Sequence, residues 1–229
     1  MFEIYNKSSE KMVEIKNSSI DLIITSPPFN LGTDYNDFKD NFSNEEYFKK
    51  LKMIFKECFR VLNKKGILIV EVSDSIFTNG EYIELAGFIQ SFCLNLGFSL
   101  KERNFNFALT KDYVELPDHG WNQNYTTKIN AHSNLNQILV FSKSKVNFNP
   151  ESKTTYSNYT SSKNHPCPFP KHHIDTFLNK YFKKGFNVLD PFMGTGELGE
   201  EVLKRKGNFF GYDVVKKYCE IAQSNLSRL

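Results

Sequence analysis

The stretch NVLDPFMGTGELG, residues 187–199, is a short apolar strand that runs into a glycine turn and then opens a helix. Glycines permit tight backbone geometry and let a ligand approach the main chain closely. The next strand pattern, NFFGYD, ends in Asp213. A carboxylate at the tip of a neighbouring strand can accept hydrogen bonds from both hydroxyls of a ribose. A tight strand-to-helix turn beside a surface Asp is the plainer reading of the same residues. Gly194, Gly196 and Gly199 also satisfy the dinucleotide spacing G-x-G-x-x-G.

Two features disfavour a dinucleotide. The turn lies near the C-terminal end of the chain, so the further strands of such a fold would have to come from the N-terminal half. Glu197 also stands where a pyrophosphate needs free N–H groups at a helix start. A ligand with a ribose and an amino-acid tail but no phosphate suits this acidic flank, and S-adenosylmethionine meets that description.

Outward from the turn, short apolar strands alternate with helical patterns. FEIYN opens the chain as a strand, followed by a short helix and then the strand SIDLIIT (19–25). Ser43 and Glu46 form a capping box that opens a helix with an apolar stripe at Phe48, Leu51, Phe55, Phe59 and Leu62. Gly66 is its expected stop. The strand ILIVEV, a helix over 82–96, the pattern FSLKERNFNFAL and the strand NQILVFSK follow. Residues 144–164 read as a loop, then come a helix over 172–182, FNVLD, a helix, NFFGYD and a last helix. About seven strands interleaved with helices imply an α/β fold with a mostly parallel sheet covered on both faces.

A second stretch, LIITSPPFN (22–30), ends a buried strand in two prolines. Each lacks an N–H and fixes φ, so the pair is at least a strand stop. Taken together and in this order, TSPPFN, HPCPFP (165–170) and VLDPFMGTG with FFGYD resemble the amino-methylating DNA methyltransferases of the beta arrangement. In that family the catalytic motif precedes the cofactor motif, which accounts for a glycine turn so late in the chain. The resemblance implies a Rossmann-like, seven-stranded methyltransferase fold with circularly rearranged motifs, spanning 1–229 as one domain. DNA-recognition insertions are expected around 104–134 and 144–164.

The resemblance also implies site residues. Ser26, Pro27, Pro28 and Phe29 form the catalytic turn. The Ser26 hydroxyl and the Pro28 carbonyl accept from an exocyclic amine, and Phe29 stacks on a base rotated out of the duplex. Asp190, Phe192, Gly194, Thr195 and Gly196 surround the methionine end of S-adenosylmethionine, and Asp213 takes the ribose. The family often carries Gly-Asp near the adenine; here NKSS (6–9) stands instead, which leaves the adenine contact open. Pro166-Cys167 resembles the thiolate dipeptide of cytosine-C5 enzymes, but it lies within the His-Pro motif, so Cys167 reads as a small packing residue and His165 as a local hydrogen-bonding one. Ser before Pro-Pro is associated with cytosine N4. Adenine N6 by the same mechanism, or an RNA substrate, is the alternative.

Composition bounds the remaining classes. The chain has 229 residues, 40% hydrophobic and 24% charged, as in ordinary globular proteins. No apolar run reaches the length of a membrane helix, and the N-terminus lacks a signal-peptide core; a cytoplasmic protein is expected. The four cysteines lack CxxC spacing, which argues against a disulfide framework or a zinc site. The net charge of +3 conceals eight lysines between Lys143 and Lys184 against Glu151 and Asp175. Such a segment suits a polyanion, or is a solvated loop. Trp121, Tyr125 and Lys128 are expected to contact bases or phosphates, and Lys143, Lys145 and Lys163 phosphates. Double-stranded DNA is the expected partner; the resemblance also admits a homodimer and a cognate restriction endonuclease. A dehydrogenase or a non-enzymatic nucleotide-binding module is the competing class.

Overall fold

The computed structural model describes residues 1–109, 135–145, 154–158, 165, 167 and 169–229. Its centre is a run of parallel strands: β1 (Phe2–Asn6), β2 (Ile20–Thr25), β3 (Leu62–Ser73), β9 (Asn187–Asp190) and β10 (Asn208–Asp213), in the spatial order β1, β10, β9, β2, β3. On the far side of β3 lie β7 (Leu135–Ser142), antiparallel to it, then β6 (Ser99–Leu109) and β8 (Thr154–Asn158) at the edge. A hairpin of β4 (Ile76–Thr78) and β5 (Glu81–Ile83) stands apart.

Successive residues of β2 supply opposite cores, as the two-residue period of a strand requires. Ile23 joins Leu68 and Val70 under α1 (Asn44–Val61) and α2 (Leu85–Leu96). Leu22 and Ile24 join Ile69, Ile138 and Val188 under α3 (Lys171–Tyr181), α4 (Glu197–Lys204) and α5 (Lys216–Leu226). With helices on both faces, the inner strands are apolar throughout. Among the described residues no helix is long and apolar enough to cross a membrane.

Several local expectations need correction. Residues 7–19 form turns instead of a helix, because Arg60 on α1 pins them through the Ile15 and Met12 carbonyls at 3.0 and 2.7 Å. Ser43 caps α1 by accepting from Glu46 N at 3.3 Å, but the helix ends at Val61 and Leu62 is already extended. Gly66 therefore caps nothing. It lies within β3, where a Cβ would meet Leu62 Cγ at 2.5 Å. The buried stripe of α1 is Tyr47, Leu51, Ile54, Phe55, Cys58 and Val61, with Phe48 and Phe59 only partly buried. Residues 76–83 fold as the hairpin ahead of α2, with Asn79 and Gly80 at φ 52° and 78°, the left-handed pair a two-residue hairpin turn needs. Two segments expected as insertion or loop are partly strand: residues 104–109 complete β6, and β8 adds an eighth strand to the sheet.

Candidate active site

The carboxyl ends of β2, β3, β9 and β10 converge on one edge of the sheet, where ligands bind in open α/β folds. A cavity of about 630 Å³ opens there, and Ser26, Pro27, Pro28, Phe29, Asp190, Phe192, Gly194 and Asp213 all line it. Two motifs far apart in the chain thus share one space. Thr25 joins them directly, its hydroxyl donating to Asp190 Oδ1 at 2.7 Å.

Asp190 is buried and also accepts the Phe192 N–H at 3.0 Å. Burial pushes its carboxyl up to about 7, against the pull of the Thr25 and Phe192 donors. Asp213 accepts from Gly194 N at 3.0 Å and from Val215 N at 2.8 Å. Burial raises it to about 6, those two N–H groups opposing. Each carboxylate keeps lone pairs beyond these bonds, so both can receive a further donor. Gly194 has φ 53°, and a Cβ there would sit 3.0 Å from His165 Nε2. Glycine is required on both counts.

Thr195 and Gly196 do not line the cavity. Thr195 is buried with its hydroxyl on Glu197. Gly196, at φ 87°, caps α4, and a Cβ would come 2.9 Å from Ala222 Cβ. They build the turn from behind. Cys167 also departs from expectation, since it is exposed and lines the cavity instead of packing. His165 accepts the Cys167 N–H on Nδ1 at 3.1 Å and lies between Tyr35 and Tyr218, with ring centroids 5.8 and 4.7 Å away. Burial lowers its imidazole to about 4, which keeps it neutral near pH 7.

Lys143 is engaged away from the cavity. β7 runs antiparallel to β3, pairing Ser142 with Ile67 and Asn136 with Ser73. Lys143 thus stands at the sheet end opposite the cavity, with exposed Lys145 two residues further on. Its ammonium donates to the carbonyls of Phe59 and Leu62, both at 2.6 Å. Phe59 lies in the last turn of α1 and Leu62 is its C-cap, where the helix dipole favours a cation. Trp121, Tyr125, Lys128 and Lys163 lie outside the described residues; Leu109 and Leu135, which flank 110–134, both stand at the cavity end of the sheet.

Three further features of the site stand beside the expected residues. Tyr47, on α1, donates its hydroxyl to the Pro28 carbonyl at 2.7 Å. Glu71 and Asn136 line the cavity wall, with Asn136 Nδ2 donating to Glu71 Oε1 at 3.2 Å and His173 Nδ1 lying 2.7 Å from Oε2. Lys7, Ser8 and Ser9 border the cavity where the family's Gly-Asp pair would stand. Only the last is marked in the sequence, as a departure from a pattern.

The family profile described as DNA methylase matches residues 20–224. The type II methyltransferase M.HpaI of Haemophilus parainfluenzae is 26% identical over 245 residues, spanning 97% of this chain and 73% of that protein. A Thermus thermophilus protein described as a DNA modification methylase, solved in complex with S-adenosyl-L-methionine, superposes with a TM-score of 0.72 at 18% identity, covering 100% of this chain and 94% of that one. The cytosine-N4-specific PvuII DNA methyltransferase superposes with a TM-score of 0.71 at 18% identity, covering 98% and 86%.

Proposed function

The chain belongs to the DNA methylase family, and on that premise we propose that it transfers a methyl group from S-adenosylmethionine to the exocyclic N4 amine of cytosine in double-stranded DNA. The observation that carries this reading is the shared cavity: the Ser26–Phe29 turn and the two acidic strand ends line the same 630 Å³.

The donor set fits that cofactor. Lys7 and Lys50, the ammonium groups in the wall, are paired with Glu14 and Glu10, so the described wall offers carboxylates to a cation and a diol more readily than cations to a phosphate. Asp213 would hold the ribose hydroxyls, and Asp190 with the Gly194 turn would bound the methionine end. S-adenosylmethionine supplies, when bound, a methyl group on a sulfonium centre. The chain's own part is to prepare the nucleophile. A cytosine amine is a poor one because its lone pair is delocalised into the ring. The Ser26 hydroxyl and the Pro28 carbonyl accept its N–H groups and favour the pyramidal nitrogen that can attack. Phe29 stacks on the extruded base, worth about 1–3 kcal/mol.

Nucleoside mass spectrometry on DNA from cells expressing the protein tests this reading. N4-methylcytosine is expected, and it should vanish with Ser26→Ala. N6-methyladenine would keep the mechanism and move the target to adenine; neither mark would turn the search to RNA. In vitro, Ser26→Ala should slow methyl transfer by roughly 10²-fold while S-adenosylmethionine affinity, by calorimetry, stays within twofold. Equal loss of both would remove Ser26 from catalysis.

A further inference from the structure

The carbonyl assigned to accept the target amine has a second, internal partner. The pairing of β2 with β3 ends at Thr25–Val70, three residues before Pro28, so no strand ladder reaches the Pro28 oxygen. Tyr47 does, through its hydroxyl at 2.7 Å. That side chain is 3% exposed, packed in the core under α1, and its ring borders the same cavity. Burial, with the Asp40 charge behind it, pushes the phenol far above its ordinary range. It stays a protonated donor throughout the working pH range.

Neighbouring bonds hold the residue that follows the turn, while the Pro28 carbonyl is bonded, among the described residues, by Tyr47. Asn30 sits at φ 59° with its side chain clamped on Phe42, accepting from Phe42 N at 2.8 Å and donating to Phe42 O at 2.9 Å. Thr78 on the hairpin donates to the Asn30 carbonyl at 2.9 Å. These contacts fix where the chain leaves the turn. The plane of the Pro28 peptide is fixed from the other side by α1.

We propose that Tyr47 is a positioning residue for methyl transfer: its hydroxyl occupies one lone pair of the Pro28 carbonyl and thereby aims the other at the incoming amine. This rests on the reading of Pro28 as an amine acceptor. A carbonyl oxygen has two lone pairs, so a bond to Tyr47 leaves one acceptor site and removes the freedom of the peptide to rotate it away. A donor on the same oxygen also weakens its second bond somewhat. Orientation outweighs that loss, because a misplacement on the order of 1 Å in a catalytic contact can cost about 10²-fold in rate.

Tyr47→Phe removes the hydroxyl and leaves the ring. The expected result is a single-turnover rate at saturating DNA down about tenfold, with the KM for DNA and the S-adenosylmethionine affinity within twofold of wild type. A merely structural Tyr47 would lower Tm and change KM and cofactor affinity with the rate. Should Phe lower Tm, rates taken at 15 °C and normalised to calorimetrically titrated cofactor sites keep the comparison on folded protein. As an independent readout, carbonyl-13C proline labelling should show an amide I component moving to higher frequency in Tyr47→Phe as the Pro28 oxygen loses its donor. An unchanged single-turnover rate on DNA that the wild type methylates overturns the proposal, as does an unchanged infrared spectrum. A wild type that methylates no DNA would sink the functional reading instead, so the two failures are distinguishable.

Discussion

Asp190 shows how much one side chain of this site depends on its neighbours. It ends β9, is 5% exposed, and has two described donors, the Thr25 hydroxyl and the Phe192 N–H. A buried carboxylate without donors is costly, and the pull of these two is what holds the raised carboxyl near 7. Thr25→Val keeps the shape and removes one donor. Leaving a buried acceptor unmade costs about 1–3 kcal/mol, so stability in urea unfolding should fall by that amount at pH 7.5, and S-adenosylmethionine affinity should fall with it. An unchanged midpoint would mean that the Thr25 hydroxyl contributes nothing to holding the carboxylate. The motif residues on either side are legible as local patterns. The bond between them is not, since 165 residues separate its partners.

At the scale of elements, periodicity locates most strands and helices, and the sequence misleads where tertiary contacts overrule a local signal. Gly66 reads as a helix stop because glycine commonly ends helices; the chain instead turns into β3 at Leu62, since Ile20–Leu62 pairing already belongs to the sheet. The polar segment holding Thr154–Asn158 has no alternating apolar pattern, yet the edge of β6 pairs with it, because a ladder is built from backbone N–H and C=O groups that residues carry whatever their side chains. Lys143 belongs to this scale too. Expected at a phosphate, it closes the end of α1 instead. Lys143→Met should therefore lower stability by about 1 kcal/mol, seen in urea unfolding. DNA affinity and its salt slope should not change; a slope reduced by about one unit would restore it as a phosphate contact.

For the whole molecule, the cavity joins acidic groups whose charge is suppressed by burial. Asp190 and Asp213 have folded values near 7 and 6, above the ordinary aspartate value of about 3.9. An acid raised on folding adds stability that is complete below its unfolded value and lost as pH rises through its folded value. The unliganded protein should therefore lose this contribution between about pH 4 and pH 7. Asp213→Asn, which cannot titrate, should show a shallower fall over that window in urea unfolding at pH 5, 6, 7 and 8. Binding of a cation runs the other way, because the ionised carboxylates attract it. The thermal shift given by S-adenosylmethionine should grow from pH 5.5 to pH 8 in wild type and grow less in Asp213→Asn, where only Asp190 still titrates. A shift independent of pH in both proteins would remove the carboxylates from cofactor binding.

Whatever depends on neighbouring residues can be read along the chain: the alternation of strands and helices, the Ser43 cap, the proline turn at Ser26–Phe29 and the glycine turn after Asp190. Steric limits on φ and the two backbone periods act over a few residues, so a few residues suffice to reveal them. It takes the assembled fold to show which oxygen Tyr47 grips, that His173 lies against Glu71, and that Lys143 bonds the end of a helix. Those partners are 19, 102 and 81 to 84 residues apart. Their meeting follows from the order of strands in the sheet and the packing of helices on its two faces, and no local pattern encodes it.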